Sequence, residues 1–151
     1  MEDKFFLHRI RKDGENFITG IEVHDTLDSA IQSFHGQMKM GYNNPSYPNM
    51  QYVSCMVTDQ EDNVVLGYNE TWGAKNIQGF FMHYIRHDGD TYTKGIDVCE
   101  DAADAYRSFH AQMEYGHGNS RFPNISFVAG KITDVNGHAH QQESWTKPNA
   151  E

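Results

Sequence analysis

The chain has 151 residues, a formal charge of −9 and a hydrophobic share of 38%, a composition that suffices for a folded globule and argues against intrinsic disorder. The excess of acidic groups disfavours direct nucleic-acid binding, because that affinity comes from Lys and Arg displacing counterions. The N-terminus, MEDKFFLHRIRKDG, lacks the apolar core of a signal peptide, and no later stretch has the apolar length of a bilayer span, so the expectation is a cytoplasmic protein without membrane association.

The first predicted element is a hairpin turning at Asp13-Gly14, a dipeptide that suits a two-residue type I′ turn. That turn would set Ile10 opposite Phe17, His8 opposite Thr19 and Phe6 opposite Ile21. Phe6, His8 and Ile10 then form a core face for the following helix, while Phe5 and Leu7 face away from it. The helix is expected over residues 26–40, capped by Asp25 or Thr26 and stopped by Gly41. Leu27, Ala30, Ile31, Phe34 and Met38 recur at helical spacing and form one apolar stripe. A loop containing Pro48 leads to a second hairpin, about 51–58 and 63–72. Its last strand, NVVLGY, is apolar on both sides, as in a strand covered on two faces.

After GAKNIQG the pattern starts again. A shift of 75 positions aligns FFLHRIRKDG with FFMHYIRHDG and SFHGQM with SFHAQM, and a two-residue deletion then brings Glu70 and Trp72 onto Glu143 and Trp145. The chain is therefore an internal duplication: a first ββαββ repeat over 1–72, a linker over 73–79 and a second repeat over 80–151. The expected fold is α+β, with eight antiparallel strands and two helices in a pseudo-twofold arrangement. In the second copy the helix falls over 101–115 with the stripe Ala102, Ala105, Tyr106, Phe109 and Met113. Asn136-Gly137 marks its last turn and sets Trp145 opposite Val128. GHAHQQ reads as an exposed edge, whereas Phe5, Leu7, Phe80 and Met82 leave apolar groups in need of cover, which implies association.

The repeated polar phrase supplies the candidate site. His35 lies on one flank of the helical stripe and Gln37 on the other, with His8 in the sheet beneath. His8 with His35, and His83 with His110, would form twin polar sites to which Gln37 and Gln112 add amides able to hold a ligand or a metal. The competing reading is structural: half-buried polar groups that pin the helix to the sheet. Lys94, expected opposite His83, weighs against a cation there.

Other chemistry has little support. His138 and His140 point the same way, as do His83 and His87, but neither pair has a spaced third ligand, so no metal is expected. Cys55 and Cys99 occupy non-equivalent positions with no disulfide spacing. Asp59 and Asp134 read as turn residues. The acidic group Asp97, Glu100, Asp101 and Asp104 suits a helix N-terminus better than mimicry of a nucleic-acid backbone. No P-loop, nucleophile elbow or dinucleotide fingerprint is present, so no catalytic residue and no cofactor are expected.

The run HDTLDSAIQSFHGQMKMGY, followed by VSCMVTD and NETW, resembles small uncharacterised proteins of bacteriophages and mobile elements from gut bacteria. The resemblance covers most of each repeat and carries over no functional residue. It implies a phage or metagenomic origin, hence a host cytoplasm or a virion. The first expectation is a non-enzymatic protein-interaction module, a phage structural or accessory protein or an inhibitor of host defence, with a protein partner or self-association. The alternative is a protein that binds or sequesters a small nucleotide-like ligand at an interface between the repeats.

Overall fold

The computed structural model describes residues 4–75 and 77–148. Residues 1–3 and 149–151, at the outer ends of the two expected repeats, and Asn76 of the linker lie outside the described residues. The element order is β1 (Phe5–Asp13), β2 (Asn16–His24), α1 (Leu27–Met38), β3 (Met50–Thr58) and β4 (Val64–Trp72), then β5 (Phe80–Asp88), β6 (Thr91–Cys99), α2 (Ala102–Met113), β7 (Ile125–Asp134) and β8 (Ala139–Thr146). Two four-stranded antiparallel sheets result, ordered β2-β1-β3-β4 and β6-β5-β7-β8. The duplicated α+β arrangement is thus present in its full count of elements. Among the described residues no helix is long and apolar enough to cross a membrane. The chain divides into unit 1, Met1–Gln78 with Val135–His138, and unit 2, Gly79–Asp134 with Ala139–Glu151.

The first hairpin of each unit pairs two residues out of the expected register. Ile10 faces Thr19, His8 faces Ile21 and Phe6 faces Val23, and the strands close at Asp13–Asn16. The loop is therefore Gly14-Glu15, with the positive φ of 63° at Gly14. Glycine at the first central position is the type II′ signature rather than type I′, and Gly89 repeats it. A shift of two preserves which residues share a face, but it puts Ile96 rather than Lys94 opposite His83. The second hairpin of unit 2 follows expectation, with Val128 opposite Trp145.

The helices lie on the other face of the sheet from the one expected. Ala30, Phe34 and Met38 pack with Leu7, Val53, Cys55 and Val57, and Phe5 joins at the edge. In unit 2, Ala105, Phe109 and Met113 pack with Met82, Val128 and Ile132, and Phe80 joins. β1 is apolar on both faces, so its own alternation could not choose. Val53, Cys55 and Val57 of β3 decide it, because they share a face with Leu7, Arg9 and Arg11. Each buried Phe there contributes about 1.5–3 kcal/mol through removal of apolar surface from water. Phe6, His8 and Ile10, with Phe81, His83 and Ile85, stand on the opposite face and are buried as well.

Both helices start on a side-chain cap. Thr26 accepts from the Ser29 amide and Asp101 from the Asp104 amide. They end at Met38 and Met113, before the expected glycine stop. Gly41 has another reason to be glycine: a Cβ there would lie 2.9 Å from the Trp72 ring. Two other expectations fail. Tyr106 is exposed rather than part of the covered stripe, and β4 is not covered on both sides, since Leu66 is 95% exposed. A bulge opposite Met56–Thr58 and a positive φ at Gly67 turn Leu66 outward.

Candidate functional site

The residues of the repeated phrase do not converge. His8 Nε2 lies 2.8 Å from Thr58 Oγ1 and His83 Nε2 2.8 Å from Thr133 Oγ1, both buried on the face away from the helix. His35 and His110 are exposed on the helices, their rings edge-on to Phe34 and Phe109. His8 and His35, like His83 and His110, are therefore on opposite sides of the sheet. Burial first, and the Lys131 charge second, depress His83 to about 3, so it is a neutral hydrogen-bonding group at physiological pH.

The glutamines meet arginines. Arg11 Nη1 donates to Gln37 Oε1 at 2.9 Å and Arg86 Nη1 donates to Gln112 Oε1 at 3.0 Å. Gln112, 5% exposed, also donates through Nε2 to the Ile85 carbonyl at 3.3 Å. These contacts tie helix to sheet in the same way twice. Arg11 and Arg86 are visible in the sequence as an identity within HRIRKDG and HYIRHDG, but nothing there marks them as partners of the glutamines.

Beside these paired contacts the two units part company. In unit 1 Glu22 gathers the polar groups under α1: Ser33 Oγ donates to it at 2.6 Å, His24 Nε2 is 2.8 Å away, and Arg9 Nε is 3.5 Å away. Burial raises the Glu22 pKa, but the bonds from Ser33 and His24 and the charges of His24 and Arg9 outweigh it and leave the carboxyl below its ordinary value. The Arg9 guanidinium lies over Gly20, where a Cβ would come within 3.0 Å of Nη2. These groups thus meet one another across the seam between α1 and the sheet.

In unit 2 the equivalent positions are Tyr84 for Arg9, Asp97 for Glu22 and Cys99 for His24. The shorter Asp97 reaches Ser108 at only 3.4 Å. Tyr84 lies flat against the sheet, its hydroxyl 2.5 Å from where a Cβ on Gly95 would be. A groove of about 510 Å³ opens between α2, the sheet and the loop that follows the helix, lined by Tyr84, Arg86, Asp97, Gln112, Tyr115 and Arg121, with Met82 and Phe122 as apolar wall. Arg86 is held in place from two sides, by Gln112 and by the Tyr115 ring 4.2 Å beneath its guanidinium carbon. Arg121 sits over the Phe122 ring at 5.4 Å. The loop that carries Arg121 is shaped by Asn119, whose side chain donates to the Glu114 carbonyl and accepts from the Arg121 amide. Of the residues expected to bind, only Gln112 lines this groove. No sequence signal marks Tyr84, Asp97, Tyr115 or Arg121, which differ between the copies, and Arg86, which both copies share as Arg11, carries no mark of its partners.

The remaining candidates have local partners. His87 Nδ1 is 2.7 Å from Ser126 Oγ and His140 Nε2 is 2.8 Å from Asp134 Oδ2. Among the described residues no group of three or more His, Cys, Asp or Glu could share a metal ion. Asp59 accepts from the Glu61 and Asn63 amides, as a turn residue does. Both cysteines are free. Burial pushes the Cys55 thiol up to about 12.

Comparison with known proteins finds no matching family model, no similar curated protein and no similar solved structure. The functional reading therefore rests on the groove itself.

Proposed function

We propose that the protein is a small-ligand-binding module whose site is the groove beneath α2 in the second repeat. The observation that carries this reading is the contrast between two otherwise matching units. The Arg9–Glu22 pair of one is replaced by Tyr84 and Asp97 in the other, where a groove of about 510 Å³ lies. That volume is in the range of organic-ligand pockets, roughly 300–1,000 Å³. The groove has an apolar wall, two tyrosines and a few fixed polar groups, and such a mixture orients a ligand. The ligand-binding alternative of the sequence reading is kept, but its site moves into a single repeat.

The test is to close the groove with the other repeat's residues. Tyr84→Arg with Asp97→Glu installs the pair that joins across the seam in unit 1. A compound panel of organic anions, neutral isosteres and amines should contain members that raise the melting temperature of the natural chain, by mass action on the native state, and not that of the double variant. Equal shifts in both proteins would refute a site in the groove.

A second reading has its own observation. Leu66, 95% exposed, and Val64, 40% exposed, stand on β4 at the edge of its sheet, and edge strands with apolar side chains invite pairing with another chain. This favours the protein-interaction module, with a protein partner or self-association; the sequence resemblance suggests a virion component or a host defence protein as partner. Leu66→Lys should then remove any concentration-dependent rise in mass measured by light scattering. A natural chain that stays monomeric at all concentrations and captures no partner would count against it.

A further inference from the structure

Resting on the groove reading, we infer that the ligand is a small planar organic anion: a carboxylate or phosphate group pairs with Arg86 and Arg121, and an aromatic or heterocyclic body lies against Tyr84 and Tyr115. In a chain of −9, cations near carboxylates are the ordinary situation, and Lys4, Arg9 and Arg107 each have one. Arg86 and Arg121 line the same groove, and among the described residues neither has a carboxylate partner. Their contacts are an amide oxygen and aromatic rings.

A guanidinium carries five N–H donors in a rigid fork. Gln112 takes one from Arg86 and Tyr115 covers a face, so donors remain for a ligand while the group is already immobilised. Preorganisation of this kind reduces the entropy lost on binding. The fork matches the two oxygens of a carboxylate or a phosphate. Tyr84 and Tyr115 supply flat aromatic surface beside it, which favours a ring over an aliphatic chain. Asp97 and Glu114, also on the lining, set a limit: they repel a ligand that is anionic throughout and favour one whose charge is confined to one end.

The test is calorimetric titration of the full chain with four probes: 4-hydroxybenzoate, adenosine monophosphate, and their uncharged counterparts 4-hydroxybenzamide and adenosine. At least one anion should bind at least tenfold more tightly than its neutral counterpart, and the one that does so distinguishes carboxylate from phosphate. Its affinity should fall with added salt. Arg121→Ala, at an exposed position, should weaken it about tenfold. Arg86→Lys, which keeps the charge but loses the fork, should weaken it with the fold intact by circular dichroism. Neutral probes that bind as tightly as the anions in the natural chain but not in Tyr84→Arg/Asp97→Glu would overturn the anion inference and leave the groove reading standing. Probes whose binding is unaffected by the double variant, or no binding by any of the four, would overturn both.

Discussion

His83 is a histidine that its surroundings keep uncharged, and this has a measurable consequence. Its ordinary value of 6.5 is lowered to about 3 in the folded chain, so between those values the unfolded chain binds a proton that the native one does not. The contribution is therefore complete above pH 6.5 and declines as pH falls toward 3, by about 1.4 kcal/mol per unit at most. Urea denaturation at pH 7, 5.5 and 4 should show the natural chain losing more stability over this range than His83→Gln, which has no proton to take up. Parallel losses would show that the histidine is not held neutral. Cys55 offers a second check at this scale: buried, with its thiolate suppressed, it should react with a thiol reagent only as fast as the native state opens. Prompt modification of that residue under native conditions would contradict its burial.

The helices and hairpins obey periodicities that can be read without coordinates, and both apolar stripes are legible for that reason. The choice of sheet face is not. β1 offers Phe6, His8 and Ile10 on one side and Phe5 and Leu7 on the other, and the choice falls to groups distant in sequence: Val53, Cys55 and Val57 of β3, with the Arg11–Gln37 and Glu22–Ser33 contacts on the same face. The hairpin register is displaced because Asp-Gly suits turns of two kinds, in which glycine occupies different positions. Glycines in and after α1 make opposite predictions. Gly36 is inside the helix, where an added methyl group would meet nothing within 4 Å, and the second copy has Ala111 there, so Gly36→Ala should raise stability by about 0.5–1 kcal/mol. Gly41→Ala drives a methyl into Trp72 and should cost about 1–3 kcal/mol. Thermal melts that show both substitutions acting with the same sign would contradict this account of α1 and its exit.

At the scale of the molecule, the informative feature is the divergence of two copies built on one plan. Shared residues such as Gln37 and Gln112, or His8 and His83, have the same partners in both units, which is what a common framework requires. The candidate site lies where the copies differ, at Tyr84 against Arg9 and Asp97 against Glu22. Repeated motifs do not point to it, since only pairing in space reveals that Arg9 and Glu22 meet. The proposed reading implies one binding site per chain, although the fold is duplicated. The most direct measurement is the calorimetric stoichiometry of the tightest-binding probe before and after Arg9→Tyr with Glu22→Asp, which give unit 1 the unit 2 residues at these two positions while Met40 and Ser46 still stand in place of Tyr115 and Arg121. The account predicts one site in the natural chain, a second, weaker site in the variant, and loss of the first on Tyr84→Arg/Asp97→Glu. Two equal sites in the natural chain, or one site that survives closure of the α2 groove, would contradict it.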